Sequence, residues 1–369
     1  MLKTLLNSSI LFTASLLLPI NQVSAAEVNQ LDETLVKVES RSKTERQKAI
    51  SIGLRDIVLK NSGAQASLSH PSVQAKVKNP SSLLRQYGYQ EIDGELFLQV
   101  NFDHQRIIKL LREAQLPVWG KQRPLTLIWL AEEDAVDRQI VNDASMLDSR
   151  ELFQSASNSN GVPLLFPIMD LDDNMMVSIN DIRGMFVDQV ALASQRYQAD
   201  YFVMASIDTR GENVKYNFSL YPKANEDDVL ASLTSKHGTA SDVDNAVNDI
   251  LTAVSEYYIS KYAIVDTGAA LDSNVTFVDI TEMKQLVEIE EYFKQLTAVK
   301  SVQLTQLHGT SATFRLDLFG TEEDLYRLMK LEPRVNVLES NLPVSIPTDG
   351  FDSLPEIGES QGPEYRWRG

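Results

Sequence analysis

Residues 125–130, Leu-Thr-Leu-Ile-Trp-Leu, are apolar at nearly every position and follow directly on Pro124. A strand that is apolar on both sides must be covered on both, so it predicts a sheet with helices above and below. Just upstream, Pro117 and Gly120 stop a helical pattern, because proline cannot continue a helix and glycine supports one poorly. A seam between two folding units therefore falls near 118. Trp119 and Trp129 follow it, and their plainest role is to pack the junction.

Beyond the seam the pattern alternates. Residues 146–157 have helical spacing, 163–167 (Pro-Leu-Leu-Phe-Pro) read as a second strand, 179–197 as a helix and 201–207 (Tyr-Phe-Val-Met-Ala-Ser-Ile) as a third strand. Such alternation predicts a parallel sheet with covered faces. Residues 214–221 and 229–234 alternate apolar with polar, which predicts antiparallel edge strands, and 242–262 closes the unit as a long amphipathic helix.

The flanking units read as smaller. Upstream lie a strand at 35–38, a helix at 44–61 with Ala49, Ile50, Leu54, Ile57 and Val58 on one face, and a short helix at 73–77. Asn79-Pro80 opens a further helical turn toward Tyr87, before a strand at 95–102 and a helix at 105–115. Downstream of a linker at 266–270, strand 275–280, helix 283–296, strands 299–307 and 312–319, helix 322–329 and strand 335–338 make the ferredoxin-like βαββαβ order. The predicted fold class is therefore mixed α/β and α+β. It comprises a small α+β domain (30–118), a central α/β domain with a mixed sheet (119–265), a ferredoxin-like domain (271–339) and a disordered tail (340–369). The prolines and glycines of that tail resist packing.

The amino terminus reads as a cleavable signal peptide, 1–25: Lys3, an apolar run over 10–20, then Val23-Ser24-Ala25 with small residues where a signal peptidase cuts. The run is short for a membrane span, and no second candidate follows. With no cysteine in the chain, disulfides, thiolate nucleophiles and lipoprotein acylation are excluded, and export without cysteine fits a bacterial periplasm. A formal charge of -17 argues against nucleic-acid binding, which needs clustered Lys and Arg.

Few residues suggest chemistry. Asp170, Asp172, Asn174, Ser178 and Asp181 place oxygens at the first, third, fifth, ninth and twelfth positions of a calcium loop. Met175 stands where glycine normally makes the sharp turn, and Asp181 replaces the longer glutamate. The plainer reading is a solvated loop whose Ser178 or Asn180 caps the next helix. No G-x-S-x-G elbow, H-E-x-x-H spacing or glycine-rich phosphate loop occurs, and His70, His104, His237 and His308 fall in separate segments. Glu132-Glu133 and Glu322-Glu323 read as loop or helix starts, where negative charge is favourable without catalysis. At the carboxy terminus Tyr365 and Trp367 interleave with Arg366 and Arg368, as in a short docking peptide or a frayed end.

Taken together, 116–120, 123–129, 163–167 and Asp170-Leu171-Asp172-Asp173 resemble domain of unknown function 2066, a family of exported gammaproteobacterial proteins. Read over 35–262, with the carboxy-terminal unit outside its clearest part, the resemblance implies a periplasmic setting and no established activity. Residues 199–207, with the paired strands and helix after them, are more weakly similar to small α/β domains of periplasmic assembly proteins. Examples are the Tol-system propeller protein, the curli secretion lipoprotein and a polar-flagellar ring protein, whose shared theme is binding other proteins. The expected function is a non-enzymatic periplasmic adaptor or envelope assembly factor with envelope or periplasmic proteins as partners. The alternative is a small-ligand or calcium-binding protein using the 170–181 loop, and a third reading is an enzyme assembled from scattered carboxylates.

Overall fold

The computed structural model describes residues 31–92, 94–224, 230–338 and 363–369; the expected signal segment 1–25 and most of the tail, 339–362, lie outside them. Three sheets organise the described residues.

The first unit runs β1 (Glu33–Lys37), α1 (Lys43–Ser62), α2 (Pro71–Lys78), β2 (Leu84–Ile92), β3 (Glu95–Phe102), α3 (His104–Glu113), with antiparallel strands in the order β1-β3-β2. Ser42 starts α1 by accepting the Glu45 N–H, and Gly63, in a left-handed conformation, ends it. Ile50, Leu54, Ile57 and Val58 of α1 meet Leu98, Val100 and Phe102 of β3 in a dry core. The helix sits so close that a Cβ at Gly53 would lie 2.5 Å from Val100 Cγ2. The expected helical turn toward Tyr87 is overturned. After a 3₁₀ turn at Pro80–Ser82 the chain enters β2, where pairing with β3 outweighs the local helical signal.

At the seam, Val118 exchanges backbone hydrogen bonds with Ile264, and Trp119 N–H donates to Asn61 O at 2.7 Å. Arg123 is buried at 2 % exposure, and among the described residues it makes no ion pair. Its guanidinium donates instead to the carbonyls of Gly120, Gly161, Lys60 and Trp119 and lies 3.8 Å from the Trp119 ring centroid. Burial pulls it down to about 9, so it is still a cation at neutral pH, tying the first unit to the second.

The second unit comprises β4 (Thr126–Glu133), β5 (Arg138–Val141), α4 (Asp148–Asn160), β6 (Leu164–Leu165), α5 (Leu171–Met176), α6 (Ile179–Arg183), α7 (Val187–Ser194), β7 (Tyr201–Asp208), β8 (Val214–Pro222), β9 (Thr234–Ala240) and α8 (Val243–Tyr262). β4 runs parallel to β6 and β7, while β8 and β9 add antiparallel strands at one edge, as the alternation predicts. One face of β4 and β7 packs Ile128, Leu130, Val203 and Ala205 with Val247, Ile250 and Val254 of α8. The other packs Leu127, Trp129, Phe202 and Met204 with Ile182 and Val190. The single helix expected over 179–197 is broken: Gly184 and Met185, the latter at φ 55°, turn the chain between α6 and α7. The last strand begins at Thr234, where the expected one ended.

The third unit is β10 (Leu271–Val278), α9 (Met283–Gln295), β11 (Val299–His308), β12 (Ser311–Leu318), α10 (Glu322–Met329) and β13 (Val335–Leu338), joined by β14 (Glu364–Trp367). Its buried residues form one cluster with those under α8, so the second and third units share a core.

Candidate interaction site

A βαββαβ unit of ferredoxin-like order places its fourth strand beside its first. Here the sheet reads β11-β12-β10-β14-β13, with the chain's last strand inserted between those two. β14 pairs parallel with β10, Phe277 opposite Tyr365, and antiparallel with β13, Val337 opposite Tyr365 and Val335 opposite Trp367. The carboxy terminus is thus not frayed. Residues 363–369 are ordered, which corrects the expectation of disorder over that part of the tail; 339–362 lie outside the described residues.

Strand alternation explains how the segment is read. Tyr365 and Trp367 point to one face and are each 4 % exposed, while Arg366 between them is exposed on the other. The Tyr365 ring centroid lies 5.8 Å from that of Phe277 and 6.4 Å from that of Tyr326. The Trp367 ring lies 6.1 Å from Phe277 and 5.5 Å from Tyr292. Its indole N–H donates to Glu288 Oε2 at 3.2 Å, and Arg334 lies 4.7 Å from its ring centroid. That hydrogen bond, with Lys284 beside it, holds the Glu288 carboxyl below the usual carboxylate range. Burial pushes the Tyr365 phenol up. Outside the slot, Arg366 Nε donates to Asp279 Oδ2 at 2.7 Å, and Arg368 N–H reaches Arg334 O at 2.9 Å. The geometry is that of peptide recognition by strand addition: main-chain pairing supplies attachment and alternate side chains fill pockets. Tyr365 and Trp367, considered above as a docking peptide or a frayed end, pack against their own chain.

The 170–181 stretch has another construction. Asp170 is the N-cap of α5, accepting the Asp173 N–H, and holds Arg196 through both oxygens at 2.7 Å each. The Arg196 hydrogen bond brings the Asp170 carboxyl down to about 2. Fully buried Asp173 accepts the Met169 N–H and the Tyr197 hydroxyl, and Arg196 approaches it at 3.2 Å. Asn174 donates to the Met169 and Asp170 carbonyls, and Asp172 is exposed on the first turn. Ser178 and Asp181 form a capping box on α6. The five candidate calcium ligands are therefore divided between two helix caps, with an arginine on the first of them. Among the described residues, no group of three or more His, Asp or Glu gathers as a metal site would require.

The remaining candidates are dispersed. His70 caps α2, His104 opens α3, His237 lies in β9 and His308 ends β11. Glu132 and Glu133 are the last residues of β4 rather than a loop start. Glu132 accepts the Ser149 hydroxyl, while buried Glu133 contacts Arg138, Arg183 and Arg210. Sequence reasoning missed Arg123, Phe277, Glu288 and Tyr292. Only the aromatic-basic-aromatic alternation at 365–367 hinted at a strand.

The fold and slot describe a three-unit α/β protein whose last sheet receives a remote strand. Residues 271–346, the third unit without β14, match the family DUF2066, so that resemblance is borne out, seated on the carboxy-terminal unit rather than on 35–262. Residues 25–120, over the first unit, match Domain of unknown function (DUF8605). Among solved structures, the dodecamer of a PelC point variant from Paraburkholderia phytofirmans is similar at 12% identity over 36% of this chain and 85% of that chain. Its TM-score of 0.22 is too low to carry an argument about fold or partners. No curated protein matches the chain.

Proposed function

We propose that the protein is a non-enzymatic periplasmic adaptor or envelope assembly factor that acts by holding other proteins. The observation that supports this most is the slot between β10 and β13, a sheet interior that receives an extended segment and buries its two aromatics. The same sheet ends in β11, a ten-residue edge strand with Leu304 at 39% and Leu307 at 52% exposure. An edge of that kind is a template for strand addition from another chain. The periplasmic setting rests on the signal-like amino terminus and the absence of cysteine. No helix of the described residues is long and apolar enough to cross a membrane.

The test is crosslinking in intact cells, with isolation of the tagged mature chain beside a Leu304→Lys/Leu307→Lys variant that charges the β11 edge. The expected result is a discrete envelope protein crosslinked to the parent chain and lost from the variant. A chain that crosslinks to nothing, or a purified protein with robust turnover, would overturn the reading.

A further inference from the structure

We propose that the cleft where the seam runs between the first and third units binds a small amphiphilic carboxylate, an acid group on a hydrocarbon or aromatic body. The cleft encloses about 390 Å³. Ile108 of α3 forms one wall, Leu296, Val299 and Phe319 of the third unit form the other, and Gly120 of the seam lies between. Gly120 permits this approach, since a Cβ there would lie 2.7 Å from Thr297 Cγ2. Small-molecule sites favour such junctions between folding units, with apolar walls and few polar groups.

Charge decides what the apolar body must carry. The chain has 51 acidic and 34 basic residues, yet among the described residues no Asp or Glu lines this cleft, while His104, Arg112, Lys121 and Lys294 do; Asp266 faces Arg112, and Asp32 and Asp103 face His104, from outside it. Arg112 is fixed in place, donating to the carbonyls of Ile264 and Thr297 and lying 4.2 Å from the Phe319 ring centroid. It contributes a positive field to the cleft, moderated by Asp266 outside it. Lys294 is offset by Glu290 and Glu291, both outside the cleft. Lys121 is exposed and has no ion pair or hydrogen bond among the described residues, so its ammonium is available to a ligand carboxylate. Beside it, burial and Lys121 lower the proton affinity of His104 against the opposing pull of Asp32 and Asp103, and its ring nitrogens offer a ligand a hydrogen bond.

Calorimetry and thermal melting of the mature full-length protein test this with three probes: octanoate below its micelle concentration, octan-1-ol and inorganic phosphate. Octanoate is expected to bind saturably and raise the melting temperature, octan-1-ol to bind roughly tenfold more weakly or worse, and phosphate not to bind. Lys121→Glu, at an exposed position, should leave the free protein's melting temperature unchanged and weaken octanoate by roughly tenfold or more. The proposal is overturned if octanoate gives neither heat nor thermal shift, if octan-1-ol binds as well, if phosphate alone binds, or if Lys121→Glu binds octanoate unchanged.

Discussion

The first and third units are both small sheets backed by helices, but they are completed in different ways. The first takes its three strands from 33–102, its longest pair a hairpin, and buries its own separate core against α1 and α3. The third takes four strands from 271–338 and a fifth from 364–367, and its core runs without interruption into that of the second unit. The first sheet draws its strands from one continuous stretch, Leu35 pairing with Gln99 across it, and keeps its own core. A sheet closed by a remote segment has an interior slot that depends on the segment's arrival.

The sharpest way to break this comparison is to end the chain after Leu338. Removing β14 uncovers Phe277 and Tyr292, leaves β10 paired only with β12 and strips β13 of its partner, so the third unit is expected to lose most of its amide hydrogen-exchange protection. Amides of β1, β2 and β3 should keep theirs; equal loss in both units would erase the distinction. Trp367→Ala isolates one anchor, and an aromatic truncation in a core costs about 3–5 kcal/mol, read from denaturant unfolding of the third unit. In the first unit, Gly53→Ala drives a methyl into Val100, an overpacking that costs about 1–3 kcal/mol and should spare the third unit.

The smallest effect is expected between them, in the second unit. Asp170 is held down to about 2 by Arg196, so its folded-state pKa lies below its unfolded value. Its contribution is fully present above the unfolded value and fades as the pH falls toward about 2. Melting curves between about pH 5 and about pH 2.5 should show an acid loss that Asp170→Asn reduces. The surface position of the pair keeps the effect modest. An unchanged profile in the variant would remove this ion pair from the account.

Much of the architecture was legible because it is local. The apolar run in β4, the face of α1 and the βαββαβ order all follow from side-chain periodicity within single elements. The misreadings fall where a partner outside the element decides its conformation or its charge. Residues 84–87 look helical after Pro80, yet the hairpin with β3 makes them extended. The acidic spacing at 170–181 matches an ion-binding loop, yet Arg196, 26 residues beyond Asp170, makes it a paired cap.

By itself, the sequence determined that both faces of β4 are covered, that a seam lies at Pro117 and Gly120, that thiol chemistry is absent, and that an aromatic-basic-aromatic triplet ends the chain. Only the tertiary structure decided that the triplet completes a sheet from within and that Arg123 is buried among carbonyls. The physical reason is common to both. A strand's partners and a cation's acceptors are main-chain groups, which every residue carries, so no side-chain pattern announces which of them will meet.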